Sequence, residues 1–148
     1  MKKLPLILCM SSVLGLVACG SDEVVAQMPA CDSQDVLELT TEILKEEAKS
    51  QLFFAMLKKA GKPAEDLPYK KAVELRGRSE ELGKVIDIVD EAVEKKNMKY
   101  YDINMDNQDT AEKKVWCKAD MKAEKGTKMA INYIAQFVGD DVEVEVVF

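Results

Sequence analysis

"KKVWCKADMKA", residues 113–123, alternates without a break: Val115, Cys117, Ala119 and Met121 fall on one side, Trp116, Lys118, Asp120 and Lys122 on the other. A period of two sends successive side chains to opposite faces of an extended chain, so the stretch reads as a half-buried strand and not a helix. The same period extends outward in both directions. Tyr101, Ile103 and Met105 alternate with Asp102, Asn104 and Asp106 before it. Met129, Ile131, Tyr133, Ala135 and Phe137 share a face after "EKGT", as do Val142, Val144, Val146 and Phe148 after "GDD". Polar turns separate the four runs, which predicts four short antiparallel strands with one oily face.

Upstream the period changes to that of a helix. Val36, Leu37, Ile43, Leu44, Ala48, Leu52, Phe53, Ala55, Met56 and Ala60 recur with helical spacing behind Asp32 or Ser33 as cap, and Gly61 ends the run. Asp35 and Glu38 suit the positive end of the helix dipole, Lys58 and Lys59 the negative end. Pro63 and Pro68 interrupt the chain, Tyr69 to Leu75 can make two turns, and Ser79 caps a clearer helix running to about Lys96. The expected fold is therefore α+β: a long N-terminal helix packed on a four-stranded antiparallel meander, with a second, shorter helix between. This order resembles cystatin-like and nuclear-transport-factor-like folds in architecture alone, and architecture does not confer function.

The chain begins differently. Lys2 and Lys3 precede an apolar run from Leu4 to Val17, too short to span a bilayer as a helix, which ends in Leu16, Val17, Ala18, Cys19 and Gly20. Charge, length and box resemble the signal peptide and lipobox of bacterial lipoproteins. That resemblance implies cleavage before Cys19 and acylation of the cysteine with palmitate-type chains, two or three of which anchor stably. It also implies an outer-membrane location facing the periplasm in a Gram-negative source, because Gly20 stands where Asp would favour inner-membrane retention. The resulting division is a signal peptide over 1–18, the acylated cysteine and a polar tether closed by Pro29 over 19–30, and one α+β domain over 31–148.

Removing the first 18 of 148 residues leaves 130, the size of a single domain. Loss of Lys2 and Lys3 takes the basic count from 21 to 19 against 27 acidic residues, and the formal charge from −6 to −8. Nucleic acid is thus not an expected partner, no basic run offers a phosphate footprint, and the domain should be repelled by anionic headgroups. With Cys9 in the signal and Cys19 lipidated, Cys31 and Cys117 remain as an even pair in an oxidising compartment, which predicts a disulfide.

Catalytic chemistry finds little to work with. The chain has no histidine, no Ser-x-x-Lys or Gly-x-Ser-x-Gly, and glycines too scattered for a phosphate loop, so no enzyme activity and no cofactor are expected. Asp102, Asn104 and Asp106 match the first places of a calcium loop, but Asn107 replaces its glycine and Lys113 its glutamate, so no metal site is expected. Asp140, Asp141, Glu143 and Glu145 read as a solvated turn and strand edge. The candidate interaction residues are Trp116, the single tryptophan, which alternation points away from the oily face, and Tyr100 as its neighbour. The expected function is a lipid-anchored cell-envelope interaction protein that binds a periplasmic or envelope protein, of inhibitor, immunity or exclusion type. The alternative is a carrier or sensor of a small apolar ligand lined by Met56, Met105, Met121 and Met129.

Overall fold

The computed structural model describes residues 27–62 and 67–148, so Cys19 and the signal-like segment lie outside the described residues. Three helices precede four strands: α1 (Gln34–Lys59), α2 (Tyr69–Glu74), a 3-10 turn (Arg76–Arg78), α3 (Glu80–Glu94), then β1 (Met98–Asp109), β2 (Lys114–Ala123), β3 (Lys128–Val138) and β4 (Asp141–Val147). The strands form one antiparallel sheet in the order β1-β2-β3-β4, the meander expected from the period-two runs. Among the described residues no helix is long and apolar enough to cross a membrane.

Local chemistry explains where the elements stop. At the end of α1 the Lys62 amide donates to the Leu57 carbonyl and the Gly61 amide to that of Lys58, with Gly61 at φ +67°. This is the paired closure in which a left-handed glycine satisfies the last carbonyls of a helix. Ser79 caps α3 by accepting from the Leu82 amide at 3.3 Å. Gly139, also at φ +67°, supplies the positive φ of the two-residue turn that pairs Val138 with Asp141. Between β1 and β2 the Asp109 carboxylate accepts from the Ala111 and Glu112 amides, fixing the turn without glycine.

α1 serves two cores. Its first turns bury Val36, Thr40 and Leu44 against Val115, Cys117, Met121, Ile131, Tyr133, Ala135 and Val146 of the sheet. Its last turns bury Phe53 and Leu57 against Tyr69 and Ala72 of α2 and Ile86 and Val89 of α3. Phe53 follows Leu44 by nine residues, about two and a half turns at 3.6 residues per turn, so the buried face has moved to the other side of the axis. One helix therefore carries a sheet on one side and a helix pair on the other.

The two cores are secured by different chemistry. Cys31 and Cys117 form a disulfide, with Cα atoms 5.7 Å apart and 86 residues apart in sequence, tying the start of α1 to the middle of β2. Beside it the buried Tyr133 hydroxyl donates to the Cys31 carbonyl at 2.7 Å; burial first, then Tyr100 and Asp32, push this phenol up to about 12. Met28 already packs on the sheet core and Pro29 is buried, so the chain is seated three residues before Cys31. In the helical core Phe53 and Tyr69 meet edge to face at 5.5 Å, and the Tyr69 hydroxyl donates to Asp90 at 2.6 Å. Burial and that hydrogen bond raise Tyr69 to about 12. The Lys49 ammonium sits among Glu94 at 2.8 Å, Asp90 at 3.3 Å and Glu46 at 3.4 Å. Burial works against its charge, but the three carboxylates outweigh it and hold Lys49 above the ordinary lysine range. Glu94, bonded to Lys49 and to Lys45, is lowered to about 2.

Two strand expectations need correction. Tyr101 does not share the oily face with Ile103 and Met105. The pairing with β2 shifts between Tyr101 and Asn104 and again between Met105 and Asn107, and Asp102 lies at φ +51°. A bulge inserts a residue and reverses which positions face inward. Met98, Tyr100 and Ile103 therefore pack on the core and Tyr101 is turned outward and exposed; Met105, opposite the buried Cys117, keeps the inward phase of Ile103 but is exposed as well. Met129 is also exposed, at the start of β3. The helix capped by Ser79 ends at Glu94, two residues short of the expected Lys96.

Candidate interaction surface

Antiparallel strands with one buried face leave the other to solvent or to a partner. α1 approaches the sheet most closely along β4 and packs on the inward face; among the described residues no helix covers the outward one. That outward face is built from Trp116, Lys118, Asp120 and Lys122 of β2, flanked by alternate residues of β1, β3 and β4. Register decides the neighbours. Trp116 stands opposite Asn107 on one side and Ile134 on the other, and Ile134 stands opposite Glu145. Both Trp116 and Ile134 are partly exposed.

The surroundings of Trp116 are polar and hold its ring in place. The Lys114 ammonium lies 5.4 Å from the ring centroid, within the range of cation–π attraction. One position further along the face, Lys118 pairs with Asp106 at 2.8 Å. The result is an aromatic and aliphatic centre inside a rim of hydrogen-bonding groups, the arrangement that protein contact surfaces use.

Tyr100 lies elsewhere. It pairs with Met121, which faces the core, and so it is on the opposite face of the sheet from Trp116. Thr41 donates to the Leu37 carbonyl at 2.7 Å, which leaves Tyr100 to donate its hydroxyl proton to Thr41 Oγ1, also at 2.7 Å. Burial raises this phenol above the ordinary tyrosine range. Tyr100 thus joins α1 to the sheet. Ile134, which sequence reasoning did not single out, takes its place beside Trp116, and only the strand register reveals it.

The remaining sequence candidates are dispersed. Asp102 and Asp106 lie in a paired strand and bond to Lys128 and Lys118, while the Asn104 amide donates to the Asp102 carbonyl. Among the described residues no group of three or more metal-ligating side chains gathers around a common point. Asp140, Asp141, Glu143 and Glu145 are all exposed along the β3–β4 turn and β4. The four methionines do not converge: Met121 is in the sheet core, Met56 packs on the helical core, and Met105 and Met129 are exposed. Comparison with protein-family models, with curated proteins and with solved structures finds no match to this chain.

Proposed function

We propose that this chain is a lipid-anchored cell-envelope protein that binds a periplasmic or envelope protein through the outward face of its sheet. The observation that carries the reading is Trp116, partly exposed beside Ile134 on a sheet face that no described helix covers. The lipobox-like Leu16-Val17-Ala18-Cys19 supplies the anchor, Gly20 the outer-membrane address in a Gram-negative cell, and the polar residues after it the reach. A helix-backed sheet stapled by Cys31–Cys117 is a firm platform for such a contact. The reading assigns no catalytic step and no cofactor.

The test is crosslinking of the anchored protein in its own envelope, followed by mass spectrometry of the adduct. A single abundant protein partner is expected, and its adduct should fall about tenfold in Trp116→Ala, the loss typical of an interface aromatic worth over 1 kcal/mol. The same variant should keep its melting temperature within a few degrees. A collapse of stability would instead make Trp116 part of the fold and sink the interface.

A further inference from the structure

In a chain of formal charge −6, one end of the sheet is basic. Lys99, Lys122 and Lys128 stand directly opposite one another across β1, β2 and β3, because Lys99 pairs with Lys122 and Lys122 with Lys128. Neighbouring strands are about 4.8 Å apart, and like charges placed directly opposite destabilise a sheet. Lys128 is compensated by Asp120 at 2.6 Å and Asp102 at 2.9 Å, which hold its ammonium above the usual lysine range. Among the described residues neither Lys99 nor Lys122 has an ion-pair partner. An uncompensated like-charge pair is an arrangement that an anion would relieve.

Lys99 and Lys122 line a groove of about 540 Å³, together with Asn97, Tyr101, Lys125 and a single carboxylate, Glu124. It opens beside a second one, of about 290 Å³, that adds Lys95 and Lys96 from the end of α3. Lys128 lies 5.8 Å from the Tyr101 ring centroid and so braces that wall of the groove. The β2–β3 turn is fixed to the α3–β1 link where the Glu124 amide donates to the Asn97 carbonyl at 3.1 Å. The groove is thus built by two connections locked to each other. Both arginines of the chain lie elsewhere, at positions 76 and 78, so the groove offers ammonium charges and not guanidinium forks. Lysine ammoniums act as point charges for tetrahedral phosphate oxygens.

We infer that this groove is an anion site for a ligand bearing two or more phosphates, held by Lys99, Lys122 and Lys125. The chemistry is common to a phosphorylated soluble molecule and to a phospholipid headgroup. The groove lies on the same outward face as Trp116 but at the other end of it: Lys122 is six positions further along β2, about 20 Å at 3.3 Å per residue.

The test uses the full chain in neutral detergent, with amine acetylation of individual lysines read by mass spectrometry and inorganic pyrophosphate as the probe. Pyrophosphate should slow acetylation of Lys99 and Lys122 severalfold and leave Lys58 and Lys59, at the far end of α1, unchanged. A second arm places the chain in phosphatidylcholine vesicles with or without cardiolipin, whose headgroup carries two phosphates. Protection in this arm assigns the anion to a lipid headgroup, and protection by pyrophosphate alone assigns it to a soluble ligand. The double variant K99Q/K122Q should lose the melting-temperature increase that pyrophosphate gives the parent, yet melt no lower than the parent without it, because the repulsion has been removed. Equal acetylation with and without either probe overturns the inference, as does a K99Q/K122Q protein that still gains the full pyrophosphate shift.

Discussion

The first half of α1 is held to a sheet by a covalent bond, whereas the second half is held to two short helices by a small apolar core with an ion-pair network at its edge. The sheet core spans four strands and a helix face; the helical core is made from one long helix, six residues of α2 and fifteen of α3. What the contrast teaches is how a small domain can use one helix twice. The two cores are separated both along α1 and around it, and the disulfide encloses the smaller one, since all three helices lie between Cys31 and Cys117. Constraining that loop limits the unfolded freedom of the part with the fewest strands to pair with.

Breaking the staple should have the largest effect. C31A/C117A is expected to lose about 4 to 5 kcal/mol by the loop-entropy account, read as a shift in the urea unfolding midpoint. Hydrogen exchange on the same protein sharpens the contrast: faster exchange in β2 and β3 ahead of α3 would show two cores that open separately, and a uniform loss would show that α1 makes them one unit. Phe53→Ala, which hollows the helical core, should cost about 3 to 4 kcal/mol and be felt first in α2 and α3. Tyr69→Phe keeps the ring against Phe53 and removes only the hydroxyl from Asp90, for a cost of about 1 to 2 kcal/mol in a thermal melt.

Acid should weaken the helical end through Glu94. Its folded value, about 2, lies below the ordinary 4.5, so its contribution is fully present above pH 4.5 and is lost as the pH falls toward 2. Glu94 is half exposed, which screens the pair and makes this the smallest effect of the series. Unfolding midpoints measured from pH 6 to pH 2 should fall less steeply in Glu94→Gln than in the parent. An unchanged slope would remove the Lys49 cluster from the account of what holds α3 to α1.

Much of this was legible along the chain. Alternation at Val115, Cys117, Ala119 and Met121 marked β2 and its buried face, Ser79 and Gly61 marked a helix start and a helix end, and the even pair of cysteines marked the staple. β1 was legible as a strand but not in phase, because a bulge at Asp102 depends on what the partner strand does and leaves no periodic trace. Tyr100 was consequently placed with Trp116 when it belongs to the core, and Ile134 went unnoticed because its neighbour is eighteen positions away.

The sequence by itself determined which segments are helices and which are strands, which face of β2 to β4 is oily, and which thiols can pair, because each follows from local period, capping chemistry or counting. Only the tertiary structure decided that α1 buries two different sides, that Trp116 stands beside Ile134 on a face no described helix covers, and that Lys99, Lys122 and Lys125 gather at one groove. The physical reason is register: which residues lie opposite one another is set by the sheet's pairing and by the packing of the helices onto it, and neither is written in any single stretch of chain.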